Sequence, residues 1–75
     1  MFEKTIFGFR LRELRQGHKI SVPQLADTFK IHKGTVSNLE LGKKSPSIDL
    51  AVALADYFNV SLDYLVGRSD NPDRR

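Results

Sequence analysis

Thr35, Ser37 and Asn38 place two hydroxyls and an amide close together, Lys33 precedes them, and Lys43 and Lys44 follow directly after Gly42. An asparagine amide carries a donor and an acceptor side by side, the pattern that pairs with N6 and N7 of adenine. A lysine ammonium donates to O6 or N7 of guanine, and serine and threonine hydroxyls suit either kind of partner. Two lysines beyond a helix stop can neutralise phosphates. The chemistry available here is hydrogen bonding and charge, not bond breaking.

No arrangement for covalent chemistry competes with it. His18 and His32 lack the spaced carboxylate or cysteine partners of a metal site. The chain has no cysteine, which excludes disulfides, thiolate ligands and thiol nucleophiles. Gly42-Lys43 lacks both the earlier glycine and the following serine or threonine of a phosphate loop. Serine, histidine and aspartate all occur, but in so short a chain their presence alone defines no triad. Asn59-Val60-Ser61 matches a glycosylation pattern, yet it reads more simply as a helix cap. The expectation is a protein that is not an enzyme and needs no metal or cofactor.

The bulk properties agree. The 75 residues, 40% apolar and 28% charged, suit one small folded domain. A domain of this size buries only about 60% of its unfolded surface, so its packing must be tight or shared with a second chain. No apolar run approaches the ~18 residues of a membrane span. Met1-Phe2-Glu3-Lys4 does not open a signal peptide, so the expected compartment is the cytoplasm, with no membrane partner. The net charge of +3 is unevenly divided: residues 1–44 carry nine Lys/Arg against four Asp/Glu, and residues 45–75 carry three against five. A basic front and a weakly acidic back suit a face turned toward a polyanion, or simply a solvated surface.

The elements that must position these groups are five helices and no strand. The first spans about Glu3 to Gln16, with Phe7, Leu11 and Leu14 on one face and Gly17 as its stop. Ser21 is an N-cap for the second, Gln24 completes a capping box, and Pro23 falls in the first turn. That helix ends near Phe29 or Lys30, with Leu25, Ala26 and Phe29 inward. After Lys30-Ile31-His32, a third helix runs from about Lys33 to Leu41, with Val36 and Leu39 inward and Gly42 as its stop. Ser47 caps a fourth that reaches about Phe58, with Ile48, Ala51, Leu54, Ala55 and Phe58 assigned to the core. Ser61 caps a last helix from Leu62 to Val66, which Gly67 ends. Residues 1–67 form the domain, and 68–75 read as a flexible tail.

Two short helices joined by a three- or four-residue turn make a helix-turn-helix, here Ser21 to Leu41. Any small helical domain contains such pairs, so the residues must carry the rest. Phe7-Gly8-x-Arg10-Leu11-Arg12-Glu13-Leu14-Arg15, Ile20-Ser21-x-x-Gln24-Leu25-Ala26, Thr35-Val36-Ser37-x-Leu39-Glu40-x-Gly42-Lys43-x-x-Pro46 and Val60-Ser61-Leu62-Asp63-Tyr64-Leu65-Val66-Gly67-Arg68 all stand in register. Together they resemble the phage-repressor-like (Xre-type, Cro-like) family of DNA-binding regulators over about residues 6–69.

The resemblance implies an all-α, five-helix lambda-repressor-like domain. It would bind double-stranded DNA, act on transcription, as a repressor in the leading reading, and form a homodimer on a palindromic operator. It implies base contacts from Lys33, Gly34, Ser37 and Asn38 at the start of the third helix. It implies positions close to phosphates for Ser21, Val22, His32, Thr35, Lys43 and Lys44. Arg15 and Glu40 match a structural ion pair between the first and third helices. The sequence departs from the family in three places. Val22 replaces a frequent glutamine and loses its hydrogen bond. Lys30 stands where the turn usually has a left-handed glycine, at about 1–2 kcal/mol of strain. Lys33-Gly34 is an unusual opening for a recognition helix.

Phe2, Ile6 and Phe9 form a second stripe on the first helix, about 140° from the Phe7 face at ~100° per residue. A dimer or protein-partner contact, cover by the C-terminal tail, and isolated exposure would each account for it. Tyr57 and Tyr64 are further interface candidates. The alternative function is therefore an antitoxin-like or adaptor module that binds another protein.

Overall fold

The computed structural model describes residues 2–73. Its helices are α1 (Lys4–Gly17), α2 (Val22–Phe29), α3 (Lys33–Glu40), α4 (Ile48–Phe58) and α5 (Leu62–Leu65), and no strand occurs among the described residues. Three of the five start on a serine. Ser21, Ser47 and Ser61 accept from the backbone N–H of Gln24, Leu50 and Tyr64 at 3.1, 3.1 and 3.0 Å. Gln24 Oε1 accepts in return from the Ser21 N–H at 2.8 Å, closing the capping box. Each cap satisfies a backbone donor that the helix leaves free and contributes about 1 kcal/mol.

All five helices end in the same way. Lys19, Lys30, Gly42, Asn59 and Gly67 have positive φ. In each case the next N–H reaches back five residues: Ile20 to Arg15 O (3.0 Å), Ile31 to Ala26 O (2.9 Å), Lys43 to Asn38 O (2.9 Å), Val60 to Ala55 O (3.0 Å) and Arg68 to Asp63 O (2.7 Å). This is the Schellman closure, which satisfies carbonyls the helix leaves unpaired. α1 therefore runs through Gly17, and its left-handed stop is Lys19, two residues later than a stop at Gly17 would place it.

The core collects Phe7 and Leu11 of α1, Leu25 and Ala26 of α2, Val36 and Leu39 of α3, Leu54, Ala55 and Phe58 of α4, Val60, and Leu65 of α5. Ile48 does not join it. It is 69% exposed, although Leu50 in the same first turn packs against the core. Gly8 explains how closely α1 and α3 approach. A Cβ built there would stand 2.5 Å from the Glu40 carbonyl oxygen and closer still to that of Leu39. Only a residue without a side chain allows this contact.

The segment after Gly67, expected from its composition to fray, is hydrogen bonded back onto the domain as far as it is described. Arg10 donates to the carbonyls of Tyr64 and Ser69, the latter at 2.7 Å, and to Asp70 Oδ1 at 2.9 Å. Its guanidinium lies 4.2 Å from the centre of the Tyr64 ring. The Ser61 N–H donates to Pro72 O at 2.9 Å. Arg10 thus ties α1 to α5 and to the segment beyond it.

Candidate nucleic-acid interface

The unit from Ser21 to Glu40 has the geometry needed to present one helix. Lys30 occupies the left-handed region (φ 55°, ψ 44°), so the turn closes without the usual glycine and carries the expected strain. Ile31 follows it, half-buried against the core, which pins the turn from inside. α3 then starts at Lys33 with His32 as its N-cap, although the imidazole makes no capping hydrogen bond.

The outer face of α3 follows from its inner one. Val36 and Leu39 are each 1% exposed. At about 100° per residue, the direction opposite their midpoint lies between Ser37, Gly34 and Asn38. Gly34 and Asn38 are exposed and Ser37 is half-buried. A Cβ at Gly34 would meet nothing within 4 Å. Lys33 is exposed at the edge of this arc, and its long stem can swing the ammonium over it. The side chains of Ser37 and Asn38 make no hydrogen bond to any described residue, so their polar groups face outward uncommitted. Thr35, half-buried, lies on the flank toward the following loop.

Around this face the charge is uncompensated. Lys30, Lys33, Lys43 and Lys44 are exposed, and none forms an ion pair with a described residue. A groove of about 350 Å³ runs between the turn and the basic loop, with Lys30, His32, Thr35, Lys44, Ser45 and Ser47 on its polar walls and Ile31, Leu39, Pro46 and Leu50 beneath. Exposed cations along a groove with apolar walls raise the local potential toward an approaching polyanion. At the other end of the unit, Ser21 is exposed with its hydroxyl oxygen engaged in the capping box. Val22 is half-buried against the core and offers a phosphate only its backbone N–H.

α3 is held from behind by two contacts with α1. Arg15 Nε and Nη2 donate to the two carboxylate oxygens of Glu40 at 2.6 and 3.0 Å, and Nη1 donates to Ile20 O at 2.9 Å. The side chains are only 12% and 8% exposed. The hydrogen bond to Glu40 raises the Arg15 pKa, burial opposes it, and the attraction of the carboxylate adds to the rise. The second contact is Gly8 against the last turn of α3. Sequence reasoning assigned no role to Gly8 or to Arg10. The available signal for Gly8 was a glycine kept inside a helix despite its conformational penalty.

The surface candidates separate. Phe9 is 60% exposed, whereas Phe2 and Ile6 are 38% and 37% exposed. Phe2 leans on Phe7 with ring centres 5.9 Å apart. Tyr57, 45% exposed, packs edge-on against Phe29 and Phe58 at 5.4 and 5.0 Å. Tyr64 is half-buried beneath Arg10. Leu41 and Val52 are exposed apolar residues that periodicity alone did not single out, and Ile48, which it assigned to the core, is exposed with them.

Comparison with known proteins agrees with this geometry. A helix-turn-helix family model matches residues 11–65. YobD of Bacillus subtilis, described as an uncharacterized HTH-type transcriptional regulator, is 42% identical over 64 residues, 85% of this chain and 57% of its own length. The HTH-type transcriptional regulator AnsR of the same organism is 39% identical over 59 residues, 79% of this chain and 51% of its own. The HTH-type transcriptional regulator ImmR, also from B. subtilis, is 33% identical over 63 residues, 84% of this chain and 50% of its own. The chain spans about half the length of these curated relatives.

Proposed function

This chain belongs to the helix-turn-helix family, and from that premise we propose that it is a sequence-specific regulator of transcription that reads duplex DNA with α3. The observation that carries the reading is the outer face of α3, where Ser37 and Asn38 carry uncommitted polar groups beside Gly34 and unpaired lysines surround them. α3 enters the major groove, Asn38 and Lys33 pair with base edges, and Ser37 adds a shorter hydrogen bond. Gly34 lets the helix backbone approach the groove floor. Lys43, Lys44, His32 and Thr35 lie along one phosphate run, and Ser21 with the Val22 N–H touches the other. Two copies on a palindromic operator place their α3 helices about 34 Å apart, and occupancy of the operator represses the promoter it overlaps.

The test is selection from a random duplex pool, followed by titration of the winner and a scrambled control across salt. The expected winner is palindromic and bound ~10³-fold or more above the control. Asn38→Ala should then weaken the winner by ~1–3 kcal/mol and leave the control nearly unchanged. Lys43→Ala should weaken both duplexes and make the salt slope shallower by about 1. Equal losses on both duplexes for Asn38→Ala remove that residue from base reading, and an absence of enrichment overturns the proposal as a whole. The alternative, an antitoxin-like or adaptor module, draws on the Phe2, Ile6 and Phe9 stripe, all three residues exposed. It requires a protein partner that co-purifies with a chain that binds no duplex.

A further inference from the structure

The helix ends close on residues with positive φ: Lys19, Lys30, Gly42, Asn59 and Gly67. Glycine takes that conformation freely and asparagine more readily than most, whereas lysine is strained there. The two lysines therefore stand out, and of the pair only Lys30 lines the basic groove between the turn and the loop before α4. Its side chain is exposed, and its ammonium makes no hydrogen bond or ion pair with a described residue. Neither an internal partner nor burial accounts for a lysine at φ 55°. A strained conformation kept on a charged surface argues for a role outside the fold.

The groove gives that role its chemistry. Lys30 reaches it from the turn and Lys44 from the loop before α4. Thr35 and Ser45 add hydroxyls that make no hydrogen bond to a described residue, and His32 adds an exposed imidazole. No aspartate or glutamate is among the described residues that line it, and apolar side chains form its floor. Cations and hydroxyl donors above apolar carbon match one unit of a sugar-phosphate backbone, whose anionic oxygens accept hydrogen bonds while its sugar carbons are apolar.

We infer that Lys30 is a phosphate contact of the duplex, holding one phosphodiester between its own ammonium and that of Lys44, and that the strain of its backbone is kept for this contact. The inference rests on the duplex-reading proposal and adds to it a residue outside the base and phosphate contacts named there. It sets stability and binding against each other at one position, because removing the side chain relaxes the turn and loses the contact.

Duplex titration across salt tests it, with the selected duplex and its scrambled control as probes. Lys30→Gly, Lys30→Gln and Lys30→Arg are compared with wild type. Arg68→Gln removes one positive charge from a surface that none of the assigned contact residues lines. Circular dichroism melts confirm folding, and Lys30→Gly is expected to melt at or above wild type, so that a weaker complex is not the result of unfolding. At ~0.1 M salt, one lost phosphate contact is worth about 8-fold in affinity through counterion release. Lys30→Gly and Lys30→Gln are each expected to weaken both duplexes ~5- to 10-fold and to make the salt slope shallower by about 1. Lys30→Arg, which keeps the charge, and Arg68→Gln, which lies elsewhere, are expected to stay within ~2-fold of wild type with the slope unchanged. Glycine and glutamine variants that bind both duplexes as wild type does, with an unchanged slope, overturn the inference. So does a loss that Arg68→Gln matches, which assigns the effect to net charge, or one that Lys30→Arg shares in full, which assigns it to the shape of the turn. In each of these cases wild type still binds its selected duplex and the functional reading stands, whereas a wild type that binds neither duplex brings down both.

Discussion

Gly8 and Gly34 lie inside helices, and the same substitution at each should move stability in opposite directions. In both, alanine gains up to about 1 kcal/mol by restricting the unfolded chain and favouring helix. At Gly34 that gain stands alone, because the new methyl group meets nothing within 4 Å. Unfolding of Gly34→Ala is therefore expected to require about 0.5–1 kcal/mol more than wild type. At Gly8 the methyl group falls about 1 Å inside ordinary contact with two carbonyl oxygens of α3. Neither can rotate away, since both are backbone. Relief requires α1 and α3 to separate, and overpacking of this kind costs about 1–3 kcal/mol. The net expectation is a loss of up to about 2 kcal/mol, once the helix gain is subtracted. In a domain of this size each kcal/mol moves Tm by roughly 4–8 °C. Thermal and urea unfolding followed by circular dichroism, with m-values checked for constancy, measure both variants. Gly8→Ala should also weaken the selected duplex more than its control, because the last turn of α3 has moved. A Gly8→Ala protein as stable as wild type would show that the α1–α3 contact gives way freely and that Gly8 does not set the recognition helix. A destabilised Gly34→Ala would refute the open outer face.

Three further outcomes follow from contacts described above. Arg15→Ala strands the Glu40 carboxylate in a site where its side chain is only 8% exposed, and removing one partner of a buried pair should lower stability by about 3–5 kcal/mol. Replacing both residues together by Met and Leu should recover most of that loss, as a double-mutant cycle in urea would show. Lys30→Gly removes left-handed strain at the turn and should raise Tm, for a gain of about 1 kcal/mol. Unchanged stability would mean that the lysine stem repays its strain through packing. Arg10→Lys keeps the charge but loses the fork that reaches Tyr64, Ser69 and Asp70. Hydrogen exchange at the Ser61 amide, whose acceptor is Pro72, should then accelerate, and unchanged protection would remove Arg10 as the anchor of that segment.

Much of the architecture was legible because its signals are local. Three serines in cap positions, Gln24 three residues after Ser21, and apolar spacing on α1 and α3 locate the helix starts and inner faces without tertiary information. The helix ends were harder. Gly42, Gly67 and Asn59 announce a left-handed residue, but Lys19 does not, and its conformation follows from Ile20 being drawn inward behind it. Ile48 was misplaced because it lies at the edge of the inner arc of α4, on the side of the exposed Val52, where spacing alone does not decide burial. Gly8 and Arg10 were unread for a different reason. Each acts on an element distant in the chain, α3 for Gly8 and the segment beyond α5 for Arg10, and nothing in the local pattern names that partner. For the candidate interface, the types and spacing of Lys33, Ser37 and Asn38 were enough to suggest hydrogen bonding outward. That their polar groups stay uncommitted, and that the surrounding lysines are unpaired, is visible only in three dimensions.

Among the described residues, α3 is bound into the molecule through the core side chains of Val36 and Leu39, the Glu40 ion pair and the close approach of its last turn to Gly8. A methyl group at Gly34 would meet nothing within 4 Å, and the Ser37 and Asn38 side chains make no hydrogen bond to a described residue. Drift at those three positions would therefore meet little resistance from selection for a folded chain. A lineage could exchange one target vocabulary for another while its scaffold stayed unchanged, and its regulatory wiring could diverge faster than its sequence as a whole.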